Sequence, residues 1–205
     1  MLKKMNLPNK LTMLRMVLVP VFIVLMALPL EWKWNIWAAL VVYIVASITD
    51  CLDGQISRRK NLVTRFGKIM DPLADKLLVS SGFIMLTGLG VIPAWMSAII
   101  IFRDFFVSSL RMFGSDNGKD VSASLSGKVK TIFQLVGIVL AILGLGLSSY
   151  TNTFGCFVES ASIMSPGVLM TNIGMTVSIA VAVLTTVWSL VDYFLRFKED
   201  INVEE

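Results

Sequence analysis

The chain of 205 residues is 56% hydrophobic and 16% charged, with a net charge of +4 and no histidine. Its mean hydropathy of +0.78 is far above that of soluble domains, which are about 45–50% apolar and about 25% charged, so an all-α integral membrane protein is expected, read as a single domain over residues 1–205. The absence of His excludes a Ser-His-Asp triad, a Cys-His dyad and any His-ligated zinc, and two cysteines, Cys51 and Cys156, make neither a zinc site of their own nor a disulfide framework.

A helix that crosses a bilayer core of about 30 Å needs roughly 20 apolar residues. The first such stretch covers about 11–30 and is broken only by Arg15. Lys3, Lys4 and Lys10 precede it as the charged part of a signal peptide would. The apolar stretch is too long for that, however, and no small-x-small cleavage site follows, so a retained helix is expected. The second helix is expected over 34–57, where an uncharged run ends at Asp50. Residues 77–102 carry no charge but contain Gly88, Gly90 and Pro93, the marks of a turn. Two spans fit there only if one begins upstream and the other continues past Arg103, which gives helices over 69–88 and 93–113. The fifth and sixth are expected over 128–149 and 167–192.

Six transmembrane helices put the loops near 30–33, 88–94 and 150–166 on one side, and of 18 Lys and Arg only Lys33 lies in them. Cytoplasmic loops are the ones enriched in Lys and Arg, so both termini are expected in the cytoplasm. The net positive charge is then a matter of topology and implies no nucleic-acid partner.

Charges within membrane spans are costly and mark sites or pathways. Asp50 and Asp53 close the second helix, Asp71, Asp75 and Lys76 open the third, Arg103, Asp104 and Arg111 lie late in the fourth, and Lys128 and Lys130 open the fifth. All fall at the cytoplasmic level, which predicts one polar cavity opening to the cytoplasm. Residues three or four apart share a helix face, so Asp50 pairs with Asp53 and Asp71 with Asp75. A short basic loop joins their helices, and the four carboxylates converge. Protonation or nearby Arg and Lys could relieve their repulsion, but all-oxygen donors suit hard cations, Mg²⁺ or Mn²⁺. Two such ions about 3.5–4 Å apart form a common clamp for phosphoryl transfer. Gly54 and Gly67 permit close approach by a ligand or a neighbouring helix.

The series Asp50-x₂-Asp53-Gly54-x₂-Ser57-Arg58-x₈-Gly67-x₃-Asp71-x₃-Asp75 resembles the signature of the CDP-alcohol phosphotransferases, with seven of eight defined positions agreeing across 26 residues. The departure is Ser57, where the family usually has Ala. Asn6–Thr12, Asp71–Val79, Arg103-Asp104 with Arg111, Gly127–Thr131 and Asp192–Phe194 further resemble the bacterial members that use glycerol 3-phosphate as acceptor. The resemblance covers nearly the whole chain. It implies a multi-pass homodimer in the plasma membrane, active site facing the cytoplasm among membrane lipids, that joins CDP-diacylglycerol to glycerol 3-phosphate in phospholipid biosynthesis and releases CMP.

The resemblance also implies roles. Asp50, Asp53, Asp71 and Asp75 hold the two cations, and Asp75 is the general base for the acceptor hydroxyl. Arg58, Gly54, Ser57 and Gly67 bind CDP-diacylglycerol, with Asn9 and Thr12 either joining them or simply capping the first helix. The acceptor carries a phosphate of its own, for which Arg103, Arg111 and Lys128 are the candidates. The bland alternative for these three is orienting charge or a salt bridge to Asp104. Lys130, two residues from Lys128, is expected to point elsewhere. Competing functions are the same chemistry with inositol phosphate, serine or phosphatidylglycerol as acceptor, and a divalent-cation transporter built on the same carboxylates.

Overall fold

The computed structural model describes residues 7–29, 33–60, 65–116, 125–147 and 166–201. These form six helices: α1 (Leu7–Ala27), α2 (Lys33–Lys60), α3 (Arg65–Gly88), α4 (Ala94–Asp116), α5 (Leu125–Leu147) and α6 (Pro166–Ile201). The most extensive packing is of α5 on α6 and of α1 on α2, with α1 also against α3, α2 against α5 and α4 against α6.

The helices outrun their apolar stretches, and mostly at one end. α1 begins at Leu7 rather than 11, α2 ends at Lys60 rather than 57, and α3 begins at Arg65 rather than 69. α4 reaches Asp116 rather than 113, α5 begins at Leu125 rather than 128, and α6 runs to Ile201 rather than 192. Hydropathy marks where residues change solvent, whereas helical hydrogen bonding continues through the Lys, Arg and Glu that follow, all good helix formers. At its other end α1 stops at Ala27, short of 30. Pro29 disfavours helical backbone at Leu28, and the buried Asn35 at the start of α2 donates its Nδ2 to the carbonyls of Leu25, Leu28 and Pro29 at 3.2, 3.2 and 3.3 Å. One side chain thereby satisfies carbonyls that a helix end leaves without partners.

The α3–α4 corner is equally well defined. Val91 N–H donates to the Leu86 carbonyl and Gly90 N–H to that of Thr87, the paired bonds of a Schellman cap. Gly90 takes the positive φ of 73° that this cap requires. Across the corner, the Thr87 and Ser97 hydroxyls are hydrogen-bonded at 2.6 Å.

The interior is layered. At mid-height Phe22 and Tyr43 pack ring to ring with centroids 5.1 Å apart. Gly82 lets α3 approach closely there, since a Cβ would lie 2.9 Å from the Ile138 Cδ1 and 3.3 Å from the Tyr43 ring. Above and below, Val19, Met26, Leu86, Ile100 and Ile142 continue the apolar core. The outside is apolar too: Val17, Val24, Val41, Ile84, Phe102, Ile132, Leu184 and Trp188 are all exposed. Meanwhile Arg15, Arg103, Lys130 and Gln134 are buried inside. Cations within and bare hydrocarbon without suit a lipid environment rather than water.

Among the described residues three stretches are long and apolar enough to cross a membrane, Asn9–Ala27, Lys130–Leu147 and Asn172–Val191, and Trp34–Asp50 is a shorter apolar one. α3 and α4, of 24 and 23 residues, are about 35 Å long at 1.5 Å per residue. What sets them apart is charge, including Asp75 and Lys76 on α3 and Arg103 and Asp104 on α4.

Candidate active site

The inward face of each helix turns from apolar to polar toward the same end of the bundle. On α1 that face runs Met26, Phe22, Val19, then Arg15, Thr12 and Asn9, all buried. Spacings of three and four residues keep them on one stripe. α5 follows the same course in reverse, from Lys130 and Gln134 to Ile138 and Ile142.

Two charged groups occupy the polar end. In the first, the fully buried Arg15 of α1 is 2.5 Å from the Asp50 carboxylate of α2, which is about one-third exposed. A guanidinium cannot shed its proton in a protein, so at this depth it requires an anionic partner. Asp50 supplies one. The charges that act on Asp75 of α3 are Asp50, Lys76, Arg15 and Asp104, which places two like carboxylates from adjacent helices within one field.

The second group is centred on Asp104 of α4. One carboxylate oxygen accepts from the Lys130 ammonium of α5 and, at 3.3 Å, from Arg103. The other accepts from the Gln134 amide at 3.2 Å. Arg103 also donates to the Ser189 hydroxyl of α6, while its buried Nε has no hydrogen-bond partner. Two cations against one carboxylate leave this group with one net positive charge. Lys76 joins the two groups, because its charge acts on both Asp75 and Lys130. All six helices therefore contribute a polar side chain to one end of the bundle.

A family model described as CDP-alcohol phosphatidyltransferase matches residues 5–188. The chain belongs to that family. It is 41% identical over 148 residues to a CDP-diacylglycerol–glycerol-3-phosphate 3-phosphatidyltransferase of Bacillus subtilis, an overlap covering 67% of this chain and 77% of the relative. Proteins of the same description from Escherichia coli K12 and Shigella flexneri are 31% identical over 202 residues, covering 96% of this chain and 97% of each relative.

The CDP-alcohol phosphatidyltransferase signature lies on α2 and α3. The structure brings Asp50 and Asp75 into one field. The side chains of Asp53, Ser57 and Arg58 on α2, of Asp71 on α3, of Arg111 on α4 and of Lys128 on α5, and the surroundings of Gly54 and Gly67, lie outside what the structure describes. Among the described residues no three His, Cys, Asp or Glu side chains gather as a metal site. Asn9 and Thr12 lie inside α1, past its start at Leu7, on the buried face. A capping residue precedes the first helical turn, so capping does not account for them.

One sequence-based expectation needs correction. Lys130 does not point away from the Arg103 group; it is buried there and bonded to Asp104. The salt bridge between Arg103 and Asp104, given above as the bland alternative, is present as part of a five-residue network that includes α5 and α6. Arg15 was legible only as the one charge in an apolar run, and its partner could not be read from spacing. Gln134 and Ser189 carry no sequence signal that separates them from other polar residues in spans.

Proposed function

We propose that this chain transfers the phosphatidyl group of CDP-diacylglycerol to glycerol 3-phosphate, forming phosphatidylglycerophosphate and releasing CMP. The observation that carries this reading is the near full-length similarity to transferases of that description. The site's chemistry supports it, with carboxylates from α2 and α3 beside a net-positive group from α4 and α5. The proposal extends to six transmembrane helices with both termini cytoplasmic, a homodimer in the plasma membrane and a polar cavity open to the cytoplasm. The gathering of polar side chains at one end and the Lys/Arg bias of the loops on that side support this orientation.

Asp50, Asp53, Asp71 and Asp75 would hold two divalent cations, Mg²⁺ or Mn²⁺. Asp50 and Asp75 fit that role, being oxygen donors whose mutual repulsion favours a shared cation. When bound, the ions would neutralise the diphosphate and make its β-phosphorus more electrophilic. Asp75 takes the proton of the primary hydroxyl of glycerol 3-phosphate as that oxygen bonds to the β-phosphorus. The bond from the β-phosphorus to the bridging oxygen breaks, and that oxygen leaves with CMP.

Arg58 holds a diphosphate oxygen, Gly54, Ser57 and Gly67 admit the nucleotide to the backbone, and Asn9 and Thr12 complete its site from the inner face of α1. Arg103, Arg111 and Lys128 bind the acceptor's own phosphate. The net positive charge of the Arg103–Asp104–Lys130 group suits a dianion and holds the acceptor in line for attack. That charge favours a phosphate-bearing acceptor over serine.

CMP release by the purified protein with CDP-diacylglycerol and Mg²⁺ tests the reading, comparing glycerol 3-phosphate, inositol phosphate and serine. Release that requires glycerol 3-phosphate and disappears on chelation is expected. Release with another acceptor would overturn the acceptor assignment, and none with any acceptor would return the carboxylates to a cation-transport reading. Arg103→Ala should raise the KM for glycerol 3-phosphate more than that for CDP-diacylglycerol.

A further inference from the structure

We infer that Arg15 is a built-in counter-cation of the carboxylate site: it balances Asp50 when no divalent ion is present and competes with such an ion for the same carboxylate. The inference rests on the metal-dependent reading above and extends it to a residue outside the signature. Arg15 lies on the buried stripe of α1, fully shielded, with its guanidinium 2.5 Å from the Asp50 carboxylate. Its charge also acts on Asp75. It therefore stands toward Asp50 and Asp75, the two described carboxylates of the signature, with the same sign of charge as a metal ion would. The difference is that Arg15 is attached to the fold and cannot leave.

The physical case has two parts. Without a cation, Asp50 and Asp75 repel each other across the α2–α3 contact, and Asp104 adds to that repulsion at Asp75. Lys76 and Arg15 oppose it. Arg15 is ion-paired directly with Asp50, so it holds α1 and α2 together at the polar end while the site is empty of metal. With a divalent ion present, the carboxylate that neutralises Arg15 is also a ligand to the ion. Two cations then share one anion, and each weakens the other's hold. Arg15 sets a ceiling on metal affinity in return for an ordered site in its absence. It is a positioning residue, since it acts on the reaction through Asp50.

The test uses the full-length chain purified in detergent, with Mn²⁺ affinity and thermal stability as readouts and no lipid substrate. Arg15→Gln, prepared in saturating Mg²⁺, should bind Mn²⁺ about tenfold more tightly than the wild type, the scale of removing one nearby unit charge. It should also lose most of its stability on chelation, so that the rise in Tm produced by metal is larger than in the wild type. Arg15→Lys keeps the charge and should stay close to the wild type in Mn²⁺ affinity. An equal fall in Tm with and without metal, at unchanged affinity, would reduce Arg15 to a structural clasp and overturn the inference. Weakened Mn²⁺ binding in Arg15→Gln would overturn it too. So would failure of that variant to fold even in saturating metal, because the ion should then replace the missing charge. A wild type that binds no Mn²⁺ would instead bring down the metal reading itself, and CMP release reports separately on phosphatidyl transfer.

Discussion

The same six helices enclose two different interiors. At one end Met26, Leu86, Val91, Ile92 and Ile142 fill the space with hydrocarbon, and the polar atoms present serve the fold: Asn35 closes α1, and Thr87 bonds to Ser97 across a corner. At the other end Arg15, Asp50, Asp75, Arg103, Asp104 and Lys130 face one another. The apolar end holds the helices at fixed distances through shape. The polar end holds them through opposite charges. Rigidity and chemistry are thus separated along the helix axis, and each inward face changes character partway along.

Changes at the polar end should act first on turnover. Asp75→Asn is expected to lower CMP release by about 10²–10⁴-fold, the usual contribution of a positioned base. Its Tm should remain near that of the wild type, and near-normal turnover would remove Asp75 from the chemistry. Asp104→Asn should do both kinds of damage, because Lys130 and Arg103 lose their shared anion. Breaking a buried pair costs about 3–5 kcal/mol, so a clear fall in Tm is expected, together with a KM for glycerol 3-phosphate that rises more than that for CDP-diacylglycerol.

Changes away from the charges should do the reverse. Gly82→Ala places a methyl group against Ile138 and the Tyr43 ring, and overpacking of this kind costs about 1–3 kcal/mol. Turnover measured well below the new Tm should stay near that of the wild type, and a loss of turnover there would show that the two ends are coupled. Asn35→Ala removes three hydrogen bonds from a helix end, for about 1–2 kcal/mol. Its effect on thermal stability should be the smallest of the three destabilising variants, below Asp104→Asn and Gly82→Ala, with unchanged KM for both substrates.

Much of this division is visible in the amino-acid order, and the reasons for the rest are physical. Asp50 and Asp75 announce themselves because carboxylates at membrane depth are costly and their spacing forms part of a signature. The polar extensions, such as α6 beyond 192, are harder to read, because hydropathy reports solvent and not backbone hydrogen bonding. Partners are harder still. Arg15 meets Asp50 across 35 positions of sequence and Arg103 meets Ser189 across 86; such pairings depend on how the helices rotate about their axes, which residue spacing within one helix does not determine. Lys130 illustrates the same gap: two residues from Lys128 implies another direction from Lys128, but not which neighbour it meets.

The corner at Gly90 has a mechanical consequence. It joins the helix that carries Asp75 to the one that carries Arg103 and Asp104, and its cap bonds and the Thr87–Ser97 contact close it tightly. From Asp75 to that corner is about 20 Å of helix, and from the corner to Arg103 about 14 Å, at 1.5 Å per residue. The pair is a set of tongs with a stiff pivot. A splay of a few degrees at the pivot becomes an opening of about 1–2 Å at the tips on arms of that length. On the roles proposed above, that opening would set the distance between the proton acceptor Asp75 and the phosphate anchor Arg103.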